Sequence, residues 1–239
     1  MLKCCLNGAR RAGEHPTCPT TAAALARDAA AVVAAGAGAL HVHPRDTAGL
    51  ETLDGAAVGA ALAAIRAVVD APVGVSTGAW IVAGAGDRLR AIEGWDVLPD
   101  FASVNLHEAG SVEVAALLLA RGVGVEAGVW HPDAAAVLAG SGLAGRCLRI
   151  LVEPMAVTAG DALDTVEAIE QRLAGAADGV PRLLHGVDGT AWALLAEAGR
   201  RGCDARIGLE DTLYRPDGRR TEGNEELVRL AAERLEDAS

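Results

Sequence analysis

The chain has 239 residues, 51% of them hydrophobic, 22% charged and only 3% aromatic, with a formal net charge of −11. That length suits one α/β barrel whose core closes without disulfides, and the acidic balance lacks the basic footprint needed for nucleic acid or an anionic membrane surface. Five cysteines, an odd number without C-x-x-C spacing, argue against a disulfide framework and a thiolate zinc site, and no apolar run reaches the ~18 residues of a membrane span.

Period-two β-rich runs alternate eight times with Ala/Leu-rich helical stretches, the pattern of a parallel sheet with crossover helices. The first strand is expected over Lys3–Asn7, entered directly from Met1 without signal-peptide features, which points to a cytoplasmic protein. Behind it, Asn7-Gly8-Ala9-Arg10 and Glu14-His15-Pro16 bring polar groups to a loop. Glu14, just above the strand, suits a base, an orienting acceptor or an extra ligand, and equally suits plain surface charge. The first helix is expected over Thr20–Ala35, capped by Thr20 or Thr21 and ended by Gly36.

The second strand, Ala39–His43, runs into Leu40-His41-Val42-His43-Pro44-Arg45-Asp46. Residues i and i+2 of a strand share a face about 6.5–7 Å apart, so two imidazoles can meet one metal at ~2.0–2.1 Å. Pro44 then stops the strand, leaving the pair at the C-terminal edge where barrel enzymes place their sites. Two hydrogen-bonded histidines in a polar barrel interior fit the same segment. A helix over Asp54–Val69 leads to the third strand, Val73–Ser76, and to Ser76-Thr77-Gly78-Ala79. Hydroxyls and backbone N–H groups there suit a carboxylate or an oxyanion, or simply a tight turn.

Further helices are expected over Gly86–Ile92, Val112–Arg121 (ended by Gly122), Pro132–Ala139, Ala159–Ala174 and Thr190–Arg200. The strands between them are Phe101–Leu106, Val123–Ala127, Cys147–Val152 and Arg182–Gly186. Glu126 and Glu153 near strand ends suit a cationic or hydroxylated ligand tail or a loop salt bridge, and His107, His131 and His185 suit a pocket wall. The eighth strand, Ala205–Leu209, opens Arg206-Ile207-Gly208-Leu209-Glu210-Asp211-Thr212. A closed barrel sets it beside the first strand, so Glu210 can face the mouth that His41 and His43 face. Two histidines and a glutamate with an open position form a known catalytic zinc set, although Arg206 and Glu210 could instead pair structurally. The last helix is expected over Asn224–Glu236, with Asn224 as N-cap and Glu225 and Glu226 at its positive end. No G-x-G-x-x-G or P-loop supports an open doubly wound sheet, so a single-domain (β/α)₈ barrel over residues 1–239 is expected.

With these segments assembled, the chain resembles the β-keto acid cleavage enzyme family nearly end to end. The resemblance rests on Leu6-Asn7-Gly8-Ala9-Arg10 with Glu14-His15-Pro16, on His41-Val42-His43-Pro44-Arg45-Asp46, on Ser76-Thr77-Gly78, and on Arg206-Ile207-Gly208-Leu209-Glu210-Asp211 with Asn224-x-x-Leu227-Val228. It implies a (β/α)₈ enzyme that reacts a β-keto acid with acetyl-CoA by Claisen and retro-Claisen chemistry, giving acetoacetate and a new CoA thioester. By position it implies Zn²⁺, or another divalent metal, on His41, His43 and Glu210. Arg206 and Asp211 are then the acid–base pair, Glu14 lies beside the metal, and Ser76, Thr77, Gly78 and Asn105 hold the substrate carboxylate. An Asp beside a fixed Arg is expected to stay ionised, its pKa lowered by ~1–3 units.

The chain departs from the family's usual residues at Leu106-His107-Glu108 and Leu151-Val152-Glu153-Pro154, so the substrate's tail is open, with Glu126 after strand five and Glu153 as candidates to meet it. Arg10, Arg11, Arg215, Arg219 and Arg220 are candidates for CoA phosphates, and the family implies a homo-oligomer, a tetramer or dimer. Two rival functions remain. An amidohydrolase-type metal hydrolase also uses H-x-H in a barrel, but on the first strand. A metal-binding barrel without turnover would not need the Glu14, Arg206 and Asp211 set.

Overall fold

A computed structural model describes residues 1–11 and 13–237. Eight parallel strands close into a barrel in chain order: β1 (Leu2–Cys5), β2 (Ala39–Val42), β3 (Val73–Ser76), β4 (Phe101–Asn105), β5 (Gly124–Val129), β6 (Arg149–Val152), β7 (Arg182–Leu184) and β8 (Asp204–Ile207). The closing contact is β8 on β1, with Lys3 opposite Arg206. Eight helices ring the barrel: α1 (Ala22–Ala34), α2 (Gly55–Arg66), α3 (Ala85–Glu93), α4 (Ser111–Ala120), α5 (Pro132–Ser141), α6 (Ala159–Leu173), α7 (Ala191–Arg201) and α8 (Asn224–Asp237). The single-domain (β/α)₈ barrel expected from the periodicity is the observed fold.

The outward strand residues, such as Cys4, Leu40, Val42, Val75, Val104 and Ile150, join the helix faces in one apolar layer. With aromatic residues scarce, Ala, Val and Leu fill most of it. The inward residues at the N-terminal end of the barrel are charged. Lys3 and Glu126 are both fully buried and in direct contact, and Arg149 Nε lies 3.3 Å from the other Glu126 oxygen. Arg149 also reaches Asp204 at 2.9 Å, while the ring of Phe101 lies 5.7 Å from Lys3 Nζ and 6.0 Å from the Arg149 guanidinium. A buried charge is tolerated only when paired, and here each has a partner. This plug closes the floor beneath the C-terminal mouth.

Local chemistry explains the helix ends. Thr21, not Thr20, caps α1 by accepting from the Ala24 N–H, and Asp54 and Thr158 do the same for α2 and α6. The expected cap at Asn224 is not made, because the amide is used elsewhere. Its Oδ1 accepts from the Leu209 N–H at 2.7 Å and its Nδ2 donates to the Leu6 carbonyl at 2.7 Å and to Asp28 at 2.6 Å. Asn224 thereby ties the turn after β8 to the end of β1. Five strands end earlier than their pattern predicts: β1 stops at Cys5, β2 at Val42, β4 at Asn105, β7 at Leu184 and β8 at Ile207. At β8 the cause is Gly208, which crosses β1 so closely that a Cβ would lie 2.0 Å from the Cys5 carbonyl oxygen. His43, His185 and Glu210 consequently project from the first residues of loops.

Candidate active site

The mouth of the barrel is assembled from strand ends one residue at a time. His41 belongs to β2 between Cys5 of β1 and Gly74 of β3, and His43 follows one residue beyond the strand. Asn7 clamps the His43 backbone from both sides, donating to its carbonyl at 2.9 Å and accepting from its N–H at 2.9 Å. The ring is fixed as well. Nδ1 lies 2.5 Å from a Glu51 carboxylate oxygen, which can only accept, so Nδ1 carries the proton and Nε2 turns toward Glu210 Oε1 at 3.5 Å. Glu210 reaches this point over Gly8, where φ is +52° and a Cβ would stand 2.3 Å from Glu210 Cγ. Arg45, from the loop after β2, donates to the carbonyls of Gly8 and Arg10 and so holds that loop in place.

Ligand atoms of His41, His43 and Glu210 lie within 4.8 Å of one another. Two buried atoms in the set, His41 Nδ1 and Glu210 Oε2, have no hydrogen-bond partner. Buried polar atoms are rarely left so, and two in one cluster of possible ligands fit a cation bound by it. The donors, two imidazole nitrogens and one carboxylate, match an open three-ligand zinc site. Burial drives His41 well below the ordinary histidine pKa, so the ring is neutral and free to donate a lone pair. Burial would raise Glu210, yet Arg206 and His43 hold it well below the usual carboxylate range. His43 is also opposed by burial, but Glu210 and Glu51 push it up to about 9. A bound cation would replace that proton between the two carboxylates.

Beside this triad stands a second charged group. Arg206 Nε donates to both Asp211 oxygens at 3.0 and 3.2 Å, and Nη2 donates to Asp211 at 2.6 Å and to Glu210 at 2.5 Å. Asp211 is fully buried. Burial raises its pKa above the ordinary aspartate value, and the pull of Arg206 does not cancel that rise. The expectation that Arg206 would lower it is thus reversed, because desolvation of the fully buried carboxylate outweighs one fixed guanidinium. His185, also fully buried, sits between Glu153, 3.2 Å from its Nε2, and Asp211, 3.7 Å from its Nδ1. Above these groups opens a cavity of about 450 Å³ whose walls include Arg10, Glu14, Trp80, Trp130, Glu153 and Met155.

The sequence profile described as BKACE, beta-keto acid cleavage enzyme, matches residues 1–239. The chain belongs to this family. Its members cleave β-keto acids, and this chain is accordingly a β-keto acid cleavage enzyme. No curated protein matches its sequence significantly. The fold recurs in distant solved structures. 3-Dehydroquinate dehydratase from Geobacillus kaustophilus superposes with a TM-score of 0.63 at 13% identity, covering 100% of this chain and 91% of that one. The type I 3-dehydroquinate dehydratase from Clostridium difficile gives 0.66 at 12%, covering 99% and 92%. (S)-3-O-geranylgeranylglyceryl phosphate synthase from Thermoplasma acidophilum gives 0.53 at 15%, covering 99% and 92%. At such identities these likenesses speak for the barrel alone.

Within this β-keto acid cleavage enzyme, the remaining candidates divide by position. Ser76 and Asn105 line the inner cleft with His41, His43 and Glu210. Thr77 and Gly78 stand behind it: Thr77 Oγ1 donates to the Ser103 carbonyl at 2.7 Å, and the Gly78 N–H reaches Ser76 Oγ at 3.3 Å. Glu14 sits at the outer edge of the cavity, held below its usual pKa by the Arg11 N–H at 2.6 Å, and is not one of the three clustered ligands. Glu126 does not face the cavity. Its carboxylate lies a layer deeper and is consumed by Lys3 and Arg149, which corrects its expected contact with a substrate tail. His107 packs on Trp130 with ring centres 4.3 Å apart, and His131 caps α5.

The candidate phosphate-binding arginines are mostly occupied. Arg10 donates to the Leu209 and Glu210 carbonyls and to Asp188, Arg215 pairs with Glu226 at 3.0 Å, Arg219 with Asp217 at 2.6 Å, and Arg220 holds the Glu14 carbonyl. Arg11 is exposed, as are Arg219 and Arg220.

Glu51 and Trp80, like Trp130 and Met155 in the cavity wall, are site residues that the sequence pattern did not single out. Glu51 orients His43 through one oxygen and accepts from Trp80 Nε1 at 3.1 Å through the other. Partners that orient a metal-binding histidine typically carry about 10–100-fold in affinity, so Glu51→Ala is expected to weaken zinc binding by roughly that factor. Competition with a chromophoric chelator measures it, and an unchanged dissociation constant would remove Glu51 from the site.

Proposed function

We propose that this chain is a zinc-dependent enzyme that exchanges acyl groups between a β-keto acid and acetyl-CoA, releasing acetoacetate and a new acyl-CoA. The observation that carries the reading is the His41, His43 and Glu210 cluster, with two orphaned ligand atoms, set beside a buried Asp211–Arg206 pair at the barrel mouth. Membership of the β-keto acid cleavage family supports the same reaction class. Bound to these three residues, Zn²⁺ or another divalent cation would supply Lewis-acid stabilisation of charge on the substrate's ketone oxygen, an effect worth several kcal/mol.

The chain's own residues supply the proton work and the positioning. Asp211, raised above an ordinary aspartate, is the stronger base for that rise and takes the proton from C2 of the β-keto acid. Arg206 remains cationic, because Asp211 and Glu210 oppose the effect of burial, and it holds Asp211 in one orientation. Carbon C2 then bonds to the acetyl carbonyl and the CoA thiolate leaves. That thiolate adds to the original ketone carbon, the C2–C3 bond breaks, and C2 regains its proton as acetoacetate departs. Ser76 and Asn105, backed by Thr77 and Gly78, suit the substrate carboxylate. Trp80, Trp130 and Met155 supply the apolar wall of the cavity, Glu14 lines its outer part, and the exposed Arg11 beside Glu14 suits a CoA phosphate. A cytoplasmic homo-oligomer, tetramer or dimer, accompanies this reading. No helix among the described residues is long and apolar enough to cross a membrane.

A panel of β-keto acids incubated with zinc-loaded protein and acetyl-CoA tests the proposal. Acetoacetate and a matching new thioester are expected together, in equal amounts and only when both substrates are present. Hydrolysis of an amide or lactone without CoA would instead favour a metal-dependent hydrolase.

A further inference from the structure

Behind the inner cleft lies a buried ion pair that the reaction itself does not use. Arg88, on α3, is fully buried, and its Nη1 lies 2.9 Å from Oε2 of Glu108, itself 7% exposed. Each partner then reaches forward to the cleft wall. Arg88 Nη2 donates to Thr77 Oγ1 at 3.2 Å, and the Thr77 hydroxyl in turn donates a hydrogen bond to the Ser103 carbonyl. Glu108 Oε2 accepts the Ala79 N–H at 3.1 Å, and Oε1 accepts from Asn105 Nδ2 at 3.0 Å.

The last of these contacts has chemical content. A primary amide can present either an acceptor or a donor, and which one is shown depends on its neighbours. The Glu108 carboxylate can only accept, so it binds the nitrogen end of Asn105. The oxygen end is turned over Gly128 of β5, where a Cβ would lie 2.6 Å from Oδ1. One N–H of Asn105 is taken by Glu108, and the second remains for a ligand in the cleft that Asn105 lines with Ser76, Ser103 and the His41/His43/Glu210 cluster. A wall fixed as a donor favours an anion.

We propose that the Arg88–Glu108 pair is the positioning device that locks Asn105 as an N–H donor and pins the Ser76–Ala79 turn, thereby making the cleft wall selective for the carboxylate of the β-keto acid. This rests on the reaction class proposed above. Both residues are positioning residues, since neither reaches the cleft.

Glu108→Gln tests the device. The glutamine matches the carboxylate in shape but sets an NH₂ against either Asn105 or Ala79, which releases Asn105 to rotate its oxygen toward the ligand. The probes are acetoacetate, which carries a carboxylate, and acetylacetone, an uncharged diketone, each titrated into zinc-loaded protein and followed by indole fluorescence or calorimetry. Loss of a hydrogen bond to a charged group corresponds to roughly a 10- to 100-fold weaker acetoacetate complex. The expected result is that loss for acetoacetate, unchanged acetylacetone binding and unchanged zinc affinity. Equal weakening of both probes would reduce the pair to general support of the fold, and undiminished acetoacetate binding would overturn the proposal. Should Glu108→Gln fail to fold, Arg88→Lys carries the same expectation, because an ammonium keeps the charge but does not span Glu108 and Thr77. If the parent protein itself binds no acetoacetate, the β-keto acid reading falls first; parent binding with an unaffected variant sinks the positioning role alone.

Discussion

Glu210→Ala is expected to leave a folded protein that no longer retains stoichiometric zinc and has lost at least about 10³-fold in turnover, since a Lewis acid stabilising developing charge supplies several kcal/mol. Glu210 stands in the turn after β8 and not in the apolar layer between strands and helices, so its removal opens no cavity in the core. The charge it leaves behind is still met, because Arg206 keeps its contacts with Asp211. Two histidines remain, and an open site with two ligands binds zinc far more weakly than one with three. Elemental analysis after dialysis against a mild chelator reads the loss. A second readout does not depend on metal: Glu210 is the principal upward influence on His43, so in metal-free variant protein the ring should titrate below its parental value of about 9, visible by NMR. Retention of one zinc per chain together with an unmoved His43 would remove Glu210 from the ligand set.

The clustering of His41, His43 and Glu210 was legible because it depends on two rules that hold in any barrel. Alternation along a strand puts His41 and His43 on one face, and closure of the sheet brings the end of β8 to β1 and thence to β2. Neither rule needs the side chains to be seen. Glu126 shows where such reasoning stops. Its side chain points into the barrel, but height inside a barrel depends on the stagger between strands, which a single strand's pattern does not contain. In the observed register Glu126 is opposite Ser103 and Arg149, one layer below the level of Asn105 and Gly128, and Lys3 rises to meet it. Glu51 was hidden for another reason. It lies eight residues beyond His43 in a loop without periodicity, brought back by an isolated bridge between Arg45 and Glu51. The direction of the Asp211 pKa shift was missed because the sequence shows a neighbouring charge and not the depth of burial, and here depth decides the sign.

Asp211→Asn separates proton transfer from metal binding, and its expected signature is a protein with a full complement of zinc whose kcat is lower by about 10²–10⁴-fold, the usual contribution of a positioned base. Asparagine keeps the shape but offers Arg206 one acceptor where there were two, and it sets an NH₂ against the guanidinium. Removing one partner of a buried pair costs roughly 3–5 kcal/mol; here the cost should fall toward the lower end because Glu210 still accepts from Arg206 Nη2. A lower melting temperature with intact zinc is therefore part of the prediction. The decisive measurement omits acetyl-CoA altogether: incorporation of deuterium at C2 of acetoacetate in D₂O reports proton removal before any carbon–carbon bond changes. The parent should exchange faster than the uncatalysed rate, and its rate should climb with pH through the pKa of Asp211, because only the ionised carboxylate accepts a proton. That limb lies above the ordinary aspartate range, since burial has raised the group. The variant should lose both the exchange and the limb. Exchange at the parental rate in Asp211→Asn would assign the base to another group, and Glu14, lining the outer part of the same cavity, would be the first to test.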